Sequence, residues 1–133
     1  MAVVDEAEAA ATATRELVRA GFPPEAVTVL RGDEDADRID SLGKVGGGWA
    51  RVRRILSFTV MDQMVDLVVY EAALRDGRAV VVVRARDVKE KERAKRALAA
   101  AGAHFMNYFG RIATEDVSPW RGKELPIPSY LRR

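Results

Sequence analysis

Apolar positions along this chain switch between a helical and an extended period, and the switches fall at glycines. Ala2-Val3-Val4 reads as a short first strand. Asp5 then opens a helix: its carboxylate is placed to accept from the free N–H groups of the first turn, and Glu8 stands where a capping box wants an acid. Ala10, Ala13, Leu17 and Val18 recur at helical spacing and form the inner face, whose alanines predict a close approach to a sheet. Gly21 stops the helix in the left-handed conformation, Phe22 folds back onto its last turn, and Pro23-Pro24 blocks continuation. The β-branched run Val27-Thr28-Val29-Leu30 is the second strand.

Residues 33–47 are acidic first and glycine-rich later, and read mostly as loop, with a turn of helix at Asp37–Leu42. Trp49–Phe58 shows a helical pattern with Val52, Ile55 and Leu56 inward. Asp62–Asp76 is a stronger helix with a stripe of Met61, Met64, Val65, Val68 and Ala72, widened by Leu67, Val69 and Leu74. That breadth predicts burial on two sides. After Gly77 comes Ala79-Val80-Val81-Val82-Val83, a continuous apolar run that predicts a central strand covered on both faces. Asp87 caps the next helix, with Glu90 at the capping-box position. Ala94, Ala97, Leu98 and Ala101 face inward, and the basic residues from Lys89 to Arg96 face water. His104–Ile112 is the last strand, and residues 113–133 read as a proline-containing tail draped over the surface.

A weak internal repeat organises these elements. Leu17-Val18-Arg19-Ala20-Gly21 precedes one strand, and Leu98-Ala99-Ala100-Ala101-Gly102 precedes another. Each unit follows a strand of its own. Two β-α-β halves define a split β-α-β, or ferredoxin-like, α+β fold, here with an extra helical insertion at about 49–76. The reading is one domain over residues 1–117, with 118–133 as a tail packed on it or extending from it.

Composition narrows the chemistry. The chain has 133 residues and no cysteine, which removes disulfides, thiolate metal sites and thiol catalysis. Basic and acidic residues nearly balance, 22 against 20, so charge alone points weakly to a nucleic-acid partner. No apolar run approaches the roughly 20 residues of a membrane-spanning helix. The N-terminal stretch lacks the pattern of a secretory signal, so a cytoplasmic location is expected. High arginine and alanine usage hints at a bacterial source.

The residues that carry the fold also carry a resemblance. Leu17 through Phe22, Val27-Thr28-Val29-Leu30, Tyr70-Glu71, Leu74 through Gly77, the valine strand, Leu98 through Gly102 and His104 through Arg111 resemble the bacterial general stress or heat-induced stress protein domains. The likeness covers roughly residues 5–117, with gaps. It implies a ferredoxin-like fold and a link to stress, and it supplies no catalytic residue. Members often carry a long Gly/Ala-rich apolar insert between the halves. Gly43–Phe58 is shorter and more basic, which departs from that pattern.

Three groups of residues invite a functional reading. His104 is the only histidine, and along a strand it shares a face with Met106 and Tyr108; with Asn107 it forms a candidate ligand site. The bland alternative is a histidine that hydrogen-bonds backbone at a turn. Lys44 in a glycine-rich loop, with Arg51, Arg53 and Arg54, forms a candidate anion site for a nucleic acid or a membrane surface, against a solvated helix face paired with the acids at 33–37. Phe105, Tyr108, Phe109, Trp120 and Tyr130 supply either core and interface or the lining of a pocket. No metal site or cofactor is indicated. The chain therefore reads as a non-enzymatic domain acting by association, as a homodimer or with another protein. A small-ligand site near His104 and Tyr108 and an anionic-polymer or membrane binder are the alternatives.

Overall fold

A computed structural model of the protein describes residues 1–41, 62–109 and 114–122. The chain is α+β with open antiparallel sheets. In chain order the elements are β1 (Ala2–Val4), α1 (Ala7–Arg19), β2 (Val27–Arg31), α2 (Gly32–Ser41), α3 (Asp62–Arg75), β3 (Ala79–Val83), α4 (Val88–Ala100), β4 (Met106–Phe109) and β5 (Thr114–Ser118). No helix among the described residues is long and apolar enough to cross a membrane.

The valine run is the centre of the sheet. β3 lies between β1 and β2, antiparallel to both, with Val80 opposite Val3 and Val81 opposite Val29. Its alternate side chains enter different cores. Val80 and Val82 pack with Val3, Leu30, Tyr70 and Leu74, while Ala79 and Val81 pack with Val4, Ala13, Leu17 and Leu98. An apolar strand forms here because both faces are closed to water, and each fully buried valine stabilises the fold by about 1.5–3 kcal/mol.

The other edge of β1 continues toward β4. Val3 and His104 exchange backbone hydrogen bonds of 2.8 and 2.9 Å, and the Asn107 N–H donates to the Met1 carbonyl at 3.0 Å. Between these contacts Phe105 takes a φ of 46°, a left-handed conformation unusual for an aromatic residue. The β4–β5 hairpin completes the row, giving β5-β4-β1-β3-β2 when read through these bonds.

The repeat in the sequence has a physical basis. Both α1 and α4 end on a glycine of positive φ, 97° at Gly21 and 79° at Gly102. The Phe22 N–H reaches the Leu17 carbonyl (3.1 Å) and the Ala103 N–H reaches the Leu98 carbonyl (3.0 Å), the two-bond stop that only a left-handed residue allows without strain. The start of α4 is also as expected: the Asp87 carboxylate accepts from the Glu90 N–H at 2.8 Å. Glu90 in turn accepts from the Arg86 side chain and backbone, which hold its carboxyl down at about 2.

Several expectations are corrected. Residues 32–41, read mostly as loop, form α2. Asp33, Glu34 and Asp35 crowd its first turn, where they favour the exposed N–H groups, and Ala36 and Ile39 bury one stripe against α3. Asp5 does not cap α1: the cap position is Glu6, with no side-chain hydrogen bond. On α3, Val69 and Leu74 are buried as expected and Leu67 and Ala72 are partly buried, while Tyr70 and Ala73, outside the expected stripe, are also buried; the burial of Met61, Met64 and Val65 lies outside the described residues. Lys91 does not face water, since its ammonium lies over the Tyr108 ring and meets Glu115. Residues 114–118, read as tail, are β5, held in register by β4. Finally, helices cover both faces of the sheet, α1 and α4 on one side and α2 and α3 on the other.

Candidate functional site

The densest polar cluster among the described residues forms where three chain segments meet: the β1–α1 link, the α3–β3 turn and the segment after β5. Each segment is placed by an element already described. Asp5 follows β1, Arg78 stands one residue before β3, and His104 faces Val3 across the β1 edge. Pro119–Gly122 is brought over them by β5, and the Pro119 carbonyl accepts from the Phe105 N–H at 2.9 Å.

His104 is buried, at 3% exposure, with its Nε2 3.0 Å from the Asp5 carboxylate. Its Nδ1 accepts from the Arg121 backbone N–H at 3.3 Å. These partners fix the neutral tautomer, with the proton on Nε2 and donated to Asp5. The Arg78 Nε donates to the same Asp5 oxygen at 2.9 Å, and a second nitrogen of the guanidinium pairs with Asp76. Trp120 closes the cluster. The Arg78 guanidinium lies over its ring, 5.2 Å from the centroid, and the His104 ring meets it edge to face at 4.6 Å. A side chain at Gly122 would be crowded: a β-carbon there would sit 3.0 Å from His104 Cε1 and 3.1 Å from Asp5 Oδ1.

Electrostatically, partial burial pushes the Asp5 carboxyl up. The hydrogen bonds and charges of His104 and Arg78 push it down by more, leaving it below the usual aspartate value.

The second feature is a cleft beside β4, lined by Lys91, Leu98, Met106, Asn107, Tyr108 and Val117 among others. Its free volume is about 40 Å³. That suits a few waters; pockets for organic ligands run to roughly 300–1,000 Å³. The Asn107 amide lies 3.1 Å from the Tyr70 hydroxyl. The orientation that satisfies all its atoms points its NH2 at the Asp116 carboxylate (3.0 Å) and the Met106 carbonyl (3.1 Å). The Lys91 ammonium is 2.7 Å from the Glu115 carboxylate, which raises its pKa.

The residues singled out from sequence thus divide. Asn107 and Tyr108 line the cleft, while His104 belongs to the Asp5–Arg78–Trp120 cluster. Phe105 and Phe109 join Tyr70 in the core, with ring centroids 5.2 and 6.3 Å from it. Lys44, Trp49, Arg51, Arg53, Arg54 and Tyr130 lie outside the described residues. Elsewhere among the described residues, Arg75 pairs with Asp37 and Glu71, Arg78 is buried, and Arg86 pairs with Glu90. Sequence reasoning missed Asp5 and Arg78 as His104 partners. The available signal was an arginine set between Gly77 and a fully apolar strand, where a charge needs a carboxylate.

In comparisons with known proteins, no family model, curated protein or solved structure matches this chain.

Proposed function

We propose that this protein is a non-enzymatic domain that acts by association, forming a homodimer through the open edge of β2. The observation that carries the proposal is the sheet order: β2 pairs with β3 on one side and, among the described residues, with no strand on the other. The Arg84 N–H donates to the Ala26 carbonyl, so residues 26, 28 and 30 direct their backbone toward β3, and Val27 and Val29 direct theirs outward. Such an edge is a template for another strand. A two-fold axis at Val29 would pair it with its own copy and bury the Val27 and Val29 side chains, which are half-exposed in the single chain.

The engagement of both nitrogens of the only histidine favours this reading over a general-base enzyme, because no ring lone pair is left for a substrate. A ferredoxin-like description is supported by the two crossovers, β1–α1–β2 and β3–α4–β4, with β3 between the first pair of strands and β1 between the second pair. The link to bacterial stress physiology rests on the resemblance of the helix–glycine–strand segments, and a cysteine-free chain suits a reducing cytoplasm. Sedimentation equilibrium over a wide protein concentration tests the proposal. A dimer that Val29→Pro dissociates is expected. A strict monomer, or a dimer indifferent to that substitution, refutes it.

A further inference from the structure

We propose that His104 is a proton-operated latch: in its neutral form it holds the Pro119–Gly122 strap against the fold, and when protonated it keeps Asp5 and releases the strap.

The argument starts from the two ring nitrogens. In the neutral ring, Nδ1 is an acceptor, and it receives the Arg121 backbone N–H. Protonation turns that acceptor into a donor, so two N–H groups then point at each other in a site only 3% exposed to water. The opposite nitrogen behaves differently. The Nε2–H bond to Asp5 becomes charge-assisted and strengthens. One face of the ring therefore gains what the other loses.

The charged groups around the ring are Asp5 from the β1–α1 link, which meets Nε2, and Arg78 from the α3–β3 turn, which shares the same Asp5 oxygen and pairs with Asp76. Arg121 meets the ring through its backbone N–H.

The strap is built to respond. Besides the Arg121 bond, its contacts include the Pro119 carbonyl on Phe105 and Trp120 packed on Arg78, His104 and Phe105. Its anchor at Phe105 sits on the residue of positive φ, so the strap clamps a backbone conformation that is uphill on its own. Loss of one buried hydrogen bond with an orphaned donor shifts the docked-to-released ratio on the order of 10- to 100-fold.

Because His104 is the only histidine, its ring gives one unambiguous NMR titration. The experiment follows His104 Hε1 and the Arg121 amide together from about pH 8 to pH 5. The fluorescence of Trp120 is read in parallel in a Trp49→Phe background, and circular dichroism confirms that the chain stays folded. One shared midpoint for all three signals, with Trp120 emission moving to the red on acidification, is the expected result. In His104→Asn, whose amide oxygen can replace Nδ1 as the acceptor, the transition should vanish with the strap docked. Gly122→Ala crowds the docked strap and should move the midpoint to higher pH. The latch is overturned by an Arg121 amide that ignores the histidine titration, by a ring that does not titrate while the fold holds, or by an unchanged transition in His104→Asn.

Discussion

Tyr70 is the side chain that ties the two halves of the molecule together. Its hydroxyl lies 3.0 Å from the Met1 carbonyl, 2.9 Å from that of Phe105 and 3.1 Å from the Asn107 amide, and its ring is fully buried. Tyr70→Phe keeps the ring and removes the hydroxyl from the Phe105 carbonyl and the Asn107 amide, while the Met1 carbonyl keeps the Asn107 N–H, so a loss of about 1–3 kcal/mol is expected in urea unfolding. Tyr70→Ala adds a cavity and should cost about 3–5 kcal/mol. If Tyr70→Phe is neutral, the hydroxyl is not the tie. Asp5 makes a second residue-scale prediction. Its carboxyl titrates lower in the folded chain than in the unfolded one, so the unfolded state takes up protons first on acidification. The stabilisation from Asp5 is therefore complete above roughly pH 4 and is lost as pH falls through the lower folded value. Asp5→Asn should flatten that acid limb, read as urea midpoints at several pH values below 6. An unchanged limb would assign the acid sensitivity to other carboxylates.

At the scale of elements, the helix stops were legible and the charged elements were not. Leu17–Gly21 and Leu98–Gly102 could be read because the left-handed stop imposes a nearly obligatory glycine, and the following apolar residue marks the return of the chain. The continuous valine run was likewise legible, since only a doubly covered strand tolerates it. α2 was legible only as a turn at Asp37–Leu42, because its buried stripe, Ala36 and Ile39, lies inside a run of acids that also suits a loop. β5 was hidden because Thr114–Ser118 alternates weakly and takes its order from pairing with β4, a contact remote from local propensity. The polar cluster was the least legible part. Asp5, Arg78 and His104 lie far apart in sequence, and the ordinary uses of each, cap, solvated cation and turn histidine, are satisfied by the local pattern. The glycine stop can be tested directly. A β-carbon at Gly102 meets nothing within 4 Å, so Gly102→Ala isolates the cost of the backbone conformation from any clash. A loss of about 1 kcal/mol is expected in thermal or urea melts. A neutral result would mean that the chain there relaxes out of the left-handed region.

For the molecule as a whole, helices cover both faces of the sheet among the described residues, and the proposed dimer uses an edge they leave. Natural edges are commonly blunted, and β2 shows how. The Val27 N–H is taken by the Pro24 carbonyl, and the outward Arg31 N–H is taken by the Asp35 carboxylate at 2.7 Å. Between these guards only Val29 offers both backbone groups to a partner strand. A homodimer on this edge is then short and weak by construction, and its strength is set by how far the guards stay in place. Asp35→Ala removes one guard and one negative charge, and it frees the Arg31 N–H for a copy of the chain. Each extra backbone hydrogen bond contributes about 1 kcal/mol, so two such bonds across a two-fold axis should tighten the dimer by about 10- to 30-fold. Sedimentation equilibrium of Asp35→Ala beside the unaltered chain reads this directly, and Val29→Pro in the same background should cancel it. If Asp35→Ala leaves the equilibrium unmoved, the β2 edge is not where two chains meet.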